Sequence, residues 1–326
     1  MIITAAHGSG GSATNHLVTE VFAKHFHNKI LNKMEDSAVV TSSGEIAITT
    51  DSFVVTPRFF PGGDIGKLAI CGTVNDLLMV GAIPQYLTCG FIIEEGALIE
   101  ELDLIASSMA RTAKEAGITI VAGDTKVIEG RGGIYINTTG IGFVPSDRNL
   151  SVNSIEEEDV ILLSGTLGDH HATILSSRMN IQNTITSDCK VLKDGVEALF
   201  HAGIRLKAMR DVTRGGLGTI LNEFVASSGK GIEIEEVNLP VNPQVQGFCS
   251  ILGLNPLYMG NEGKFIAVLP NNQAELALLT LHGLEGYEEA VIIGKVVAKA
   301  GVRMKTKLGG LIRIDVLQGE GLPRIC

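Results

Sequence analysis

Two successive runs of alternating strand and helix signals, divided by a turn-rich boundary, constrain this chain more than any other feature of it. In the first run, residues 46–55 read as strand, 64–80 as helix and 86–93 as strand; 98–116 read as helix, and 118–121 and 134–144 as strands. Pro145-Ser146-Asp147 and the polar stretch 153–159 then interrupt the pattern. The second run opens on Val160-Ile161-Leu162-Leu163-Ser164, short and apolar enough for a buried strand. It continues with a helix over 217–226 and strands over 265–269 and 290–297. A closing hairpin joins 302–305 to 311–314 through Gly309-Gly310. At 326 residues the chain exceeds the usual size of one domain, so the expectation is an α/β (α+β) fold in two domains. The divisions read from the sequence are a glycine-rich segment and helix over 1–35, a first domain over 36–150, a second over 151–316, and a tail over 317–326.

Charge and cysteine usage narrow the function class. A formal net charge of -10 with no basic stripe argues against a nucleic-acid partner. No apolar run approaches the length of a membrane span, and the first residues lack the basic-then-apolar pattern of a secretory signal. Cysteines at 71, 89, 189, 249 and 326 make neither a metal-ligand spacing nor a disulfide framework, which leads to an expectation of free thiols in the cytoplasm. An acidic protein still holds a phosphate when magnesium bridges its carboxylates to the phosphate oxygens, so the placement of acids matters more than their number.

Four aspartates stand where a carboxylate is costly without a partner. Asp51 interrupts the strand 46–55, and Asp76 sits in the apolar helix stretch Val74-Asn75-Asp76-Leu77-Leu78-Met79. Asp124, in Gly123-Asp124-Thr125-Lys126, follows the strand 118–121; Asp211 lies on a loop entering a helix. Turn or capping roles suit Asp124 and Asp211 equally well. Gly62-Gly63-Asp64-Ile65-Gly66-Lys67 has the wrong spacing for a phosphate loop, and Asp64 reads there as a helix N-cap. No Gly-x-Gly-x-x-Gly follows a strand, which disfavours a nicotinamide dehydrogenase. His7-Gly8-Ser9-Gly10-Gly11 before a helical pattern suits either a phosphate-wrapping loop or a leader. Lys126 and Glu262 are candidate cation and general base; a surface lysine and a turn glutamate are the plainer readings. Finally, Gly319-Glu320-Gly321-Leu322-Pro323-Arg324-Ile325-Cys326 carries a thiol on a segment unsuited to helix or sheet.

Taken in order from residue 7 to residue 326, these motifs resemble the HypE family of hydrogenase maturation proteins, carbamoyl dehydratases of the aminoimidazole ribonucleotide synthetase superfamily. The segments that carry the resemblance are His7 to Gly11, Thr50-Asp51-Ser52, Asn75 to Ala82, Gly123 to Val127, Asp211 to Leu217, Gly260 to Gly263 and Pro323 to Cys326. The resemblance implies a homodimer whose N-terminal domains pair into an intersubunit β-barrel, each followed by an α/β domain. It also implies ATP and Mg2+ as cofactors, with ATP held by His7, Gly8, Gly10, Gly11, Asp51, Asn75, Asp76, Asp124 and Thr125, and metal by Asp51, Asp76, Asp124 and Asp211. Cys326 would receive a carbamoyl group from the carbamoyltransferase HypF, be dehydrated to a thiocyanate with Glu262 as base and Lys126 as cation, and deliver cyanide to a HypC–HypD complex. Gly319 and Gly321 would let the tail swing. Sibling enzymes of the superfamily remain the alternative, as does an ATP-binding scaffold with a docking tail. A selenophosphate synthetase would need a cysteine near the first glycine loop, and none precedes Cys71.

Overall fold

The computed structural model describes residues 2–4, 7, 16–30 and 44–316. Gly8, Gly10, Gly11 and Cys326, and with them the expected swing of the tail, lie outside the described residues. The chain divides into two compact units, one running to Phe59 and again over Gly63–Asp147, the other taking Phe60–Gly62 and the chain from Arg148 onward.

In the first unit, strand β1 (Glu45–Phe53) precedes helix α1 (Ile65–Met79), β2 (Ile83–Glu94), helix α2 (Ile99–Ala116), β3 (Thr119–Ile128) and β4 (Ile134–Val144). The strands lie in the order β1-β4-β2-β3, antiparallel except for the parallel pair β2–β3. The α1 sequence is apolar all round, and its packing explains why: 13 of its 15 residues are buried, between α2 on one side and β1 and β4 on the other. Each fully buried Leu or Ile there contributes about 1.5–3 kcal/mol. By contrast α2 shows the solvent a polar face, with Leu102, Ile105, Ala106 and Met109 turned inward.

The second unit holds a seven-stranded sheet. Its strands are β5 (Val160–Leu163), β6 (Ala208–Asp211), β7 (Gly231–Glu235), β8 (Phe265–Leu269), β9 (Val291–Val297), β10 (Gly301–Lys305) and β11 (Leu311–Ile314), in the order β11-β10-β7-β9-β5-β8-β6. Only β10 and β7 run parallel, so the alternation read in the sequence builds a mostly antiparallel α+β sheet. Every residue of β5 and β8 is buried, as expected for central strands covered on both faces. Helices α3 (Asp169–Arg178) and α4 (Lys193–His201) precede β6. Helix α5 (Gly216–Ser228) sets Leu217, Ile220, Leu221 and Phe224 against Ile161, Leu163, Ile266 and Val268 of the sheet. A smaller cluster joins α3 to α6 (Pro243–Leu252) through Ala172, Leu175, Val245, Phe248 and Met259; α7 (Ala274–His282) packs on α4. Among the described residues Cys71, Cys89, Cys189 and Cys249 are buried and form no disulfide, and no helix is long and apolar enough to cross a membrane.

Asp64 is the N-cap its sequence predicts. Its carboxylate accepts from Gly66 N (2.7 Å) and Lys67 N (3.1 Å), and Ser108 Oγ of α2 donates to it at 2.6 Å. Because this one buried group caps α1 and joins it to α2, Asp64→Ala is expected to lower unfolding free energy by about 2 kcal/mol. A urea titration showing a loss of only a few tenths would contradict that.

Candidate active site

The first unit places two of the predicted carboxylates on one layer. Along β1, Ile46, Ile48, Thr50 and Ser52 face away from the helices while Ala47, Thr49, Asp51 and Phe53 face α1, the period-two pattern of a strand with one covered side. Thr49 Oγ1 donates to Asp76 Oδ2 at 2.7 Å. A Cβ built on Gly72, one helical turn before Asp76, would lie 3.7 Å from Asp51 Oδ2. Asp51, Asn75 and Asp76 thus share the β1–α1 layer. Asn75 is buried, whereas Asp76 is half-buried rather than enclosed as its apolar neighbours suggest.

The position of Asp124 corrects the sequence reading. Strand β3 runs on to Ile128, so Asp124 lies inside it, opposite Gly90, and not beyond its end. Register puts Asp124 and Lys126 on the side of exposed Ile92, away from α1, while Thr125 pairs with buried Phe91 on the helix side. Lys126 Nζ lies 3.0 Å from an Asp124 carboxylate oxygen, and this hydrogen bond holds the exposed Asp124 carboxyl below its usual range. At the start of the chain, His7 Nδ1 accepts from Thr4 N at 3.2 Å.

The second unit places Asp211 at the end of β6, 8% exposed, instead of on a loop; its backbone faces Phe265 of β8. Glu262 sits just before β8 and is 7% exposed, on a backbone held from both sides. Asp188 accepts from Glu262 N (3.2 Å) and Gly263 N (3.1 Å), and Lys264 Nζ lies 3.5 Å from the same carboxylate. Asn261, wholly buried, donates to Val212 O and Met259 O, and its Oδ1 accepts from Gly168 N at 2.7 Å. Position 263 must be glycine: a Cβ there would lie 1.8 Å from Asp188 O. Burial raises the nearby Asp169 carboxyl against a hydrogen bond from Thr166. The result is a buried glutamate on a backbone fixed by Asp188, beside the Asp188–Lys264 ion pair.

Residues 34–144 match the family described as AIR synthase related protein, N-terminal domain, and residues 156–307 the corresponding C-terminal domain. The carbamoyl dehydratase HypE of Escherichia coli is 45% identical, the match covering 99% of each chain. The chain belongs to the HypE family. A HypE solved in complex with ATP superposes with a TM-score of 0.94 at 44% identity, covering 99% of both chains. One solved in complex with HypF gives 0.81 at 45% identity, covering 92% of this chain and 99% of the other.

For this HypE-family chain, sequence motifs reached Glu262 but not Asp188, which lies in a stretch without regular structure between α3 and α4. The one local signal was an aspartate between Ser187 and Cys189 in an otherwise uncharged run. Two histidines behind the Glu262 loop were also missed. His170 Nδ1 lies 2.8 Å from Ser187 Oγ, and His171 Nδ1 accepts from Gly260 N. Burial chiefly depresses both, to about 4, against the pull of Asp188 on His170 and with the added push of His170 and Arg178 on His171. Their folded values lie below the ordinary 6.5, so the unfolded chain takes up these protons first. The stability they contribute is complete above pH 6.5 and is lost as pH falls towards 4, on the order of 3 kcal/mol for each ring. Denaturant midpoints measured across that window should fall with pH, and His170→Gln should flatten the slope.

Proposed function

We propose that this protein is an ATP-dependent carbamoyl dehydratase of hydrogenase maturation, acting on an S-carbamoyl group carried by Cys326. The observation that carries this is the end-to-end likeness to a carbamoyl dehydratase HypE, over 99% of both chains. Buried Glu262 supplies the base that such a reaction needs in this reading.

The overall change is loss of water. The thiocarbamate S–C(=O)–NH2 and ATP give the thiocyanate S–C≡N, ADP and phosphate. The carbonyl oxygen is a poor leaving group until it takes the γ-phosphoryl group; phosphate then departs as the nitrogen gives up its protons. Glu262 takes a proton from that nitrogen. Lys126 moves from Asp124 to the developing charge on the phosphoryl oxygens. Asp51, Asn75, Asp76, Asp124 and Thr125, with His7, Gly8, Gly10 and Gly11, bind the nucleotide. Hard carboxylate oxygens suit magnesium, and Asp51, Asp76, Asp124 and Asp211 are its donors in this reading. Among the described residues no group of three or more His, Cys, Asp or Glu gathers into a metal centre, and Asp124 faces away from the α1 layer that Asp51 and Asp76 share, so these aspartates would hold metal at more than one position. Bound magnesium would neutralise charge on the transferring phosphoryl group.

HypF is the carbamoyl donor in this reading and a HypC–HypD complex the cyanide acceptor, all in the cytoplasm, where the buried thiols stay reduced. The test is the intact mass of the peptide bearing Cys326 after incubation with HypF, before and after Mg-ATP. One carbamoyl group should be gained and one water then lost. Glu262→Gln should load and bind ATP yet lose no water; unchanged turnover would overturn its role as base.

Two copies acting together are part of the proposal. On β1, an edge strand, Ile46 is 49% and Ile48 68% exposed on the face turned from the helices; Ile92 and Ile128 on the same face are 43% and 44% exposed. That apolar surface suits a matching sheet from a second copy. Ile48→Glu is expected to yield monomer in sedimentation velocity, where the parent sediments as a dimer.

A further inference from the structure

The described residues end at Val316, and the two residues before it are held by side chains from elsewhere in the second unit. Tyr258 Oη donates to Asp315 O at 2.8 Å. Asn222 Nδ2, on α5, donates to Ile314 O at 3.1 Å and also to Gly218 O at 2.8 Å. Among the described residues β11 pairs only with β10, and Leu311, Ile312 and Arg313 are exposed.

Tyr258 is not a remote anchor. It closes the short 3-10 turn Pro256–Tyr258, four residues before Glu262. That turn is seated on the start of α5. At Gly216, where φ is +61°, a Cβ would lie 2.6 Å from Leu257 O; at Gly218 it would lie 2.7 Å from the Tyr258 ring. Gly216 and Gly218 therefore have a use the sequence did not disclose: they admit the turn. Residues 259 to 262 are all buried, with Met259 and Asn261 at 0% exposure and Asn261 hydrogen-bonded at both ends of its amide. A continuous rigid path thus runs from the Asp315 carbonyl through Tyr258 to the Glu262 backbone. Burial, and then the Asp315 carboxylate, keep the phenol protonated and able to donate.

We propose that Tyr258, supported by Asn222, clamps the root of the segment that bears Cys326 and registers it against the Glu262 loop, making Tyr258 a positioning residue for dehydration. The proposal rests on the reading that Cys326 carries the carbamoyl group. Eleven residue steps separate Asp315 from Cys326, a reach of roughly 36 Å at about 3.3 Å per residue. Over so short a tether, the fixed origin determines how often the far end meets one particular carboxylate. The bond is to a main-chain oxygen, so it holds whatever side chain stands at 315.

The full-length Tyr258→Phe variant tests this. Wild type and variant are loaded on Cys326 by the carbamoyltransferase and given Mg-ATP in a single turnover followed by mass spectrometry. Hydrogen exchange of residues 314–316 is read in parallel. Loss of one hydrogen bond should slow water loss about fivefold and speed exchange at 314–316, while the loading rate, the KM for ATP and the Tm stay at parent values. A purely structural role would shift ATP binding and Tm together with the rate. An active wild type matched by Tyr258→Phe in rate and exchange would overturn the clamp alone. A wild type that loads but never loses water would overturn the underlying reading, and the role in dehydration with it. Asn222→Ala should show the same loss of water-elimination rate to a smaller degree; no effect there would remove Asn222 from the clamp.

Discussion

A helix buried on nearly every side cannot carry an uncompensated carboxylate, and the first unit is arranged around that constraint. Asp76 projects from α1 where Thr49 of β1 meets it, and Asp51 projects from the same face of β1 towards the same turn of α1. The sheet supplies the polar contact and the helix supplies the position. Because α1 is also fixed at its start by Asp64 and Ser108, the carboxylate near its far end has little freedom to drift. A site of this kind follows from helix packing, not from a flexible loop.

The second unit reaches a similar end by another route. The Glu262 backbone is held by Asp188, which accepts from its N–H, and neighbouring Asn261 is held by its buried amide, which accepts from Gly168 N. Lys264 compensates Asp188 in a setting where removing one partner would leave an unpaired buried charge. The backbone that carries the Glu262 side chain is therefore held by the residues packed around it.

Much of the fold was legible in the residues. The strand 265–269, the strand 134–144 and the closing hairpin agree with the structure because each is a short apolar or alternating run between clear breakers. What misled was the end of β3: Gly123 and Asp124 look like a turn, yet they continue the strand because β2 pairs alongside them as far as Ile128. Asp211 misled in the same way, its carboxylate concealing the end of β6. Pairing across a sheet is a tertiary fact, and local propensity carries no record of it. For the site, glycine-flanked Glu262 stood out, whereas Asp188 did not, since a lone aspartate in an irregular stretch reads like any solvated residue until its partners are visible.

The burial of the other cysteines has a chemical consequence of its own. Desolvation pushes the Cys249 thiol up to about 11 and Cys89 higher still, and Cys71 and Cys189 are enclosed as well. A thiol kept from ionising and from contact with water is a poor nucleophile. An acyl-type electrophile presented to this protein therefore meets no rival sulfur among the described residues, and selectivity for one attachment point follows from how the interior is packed.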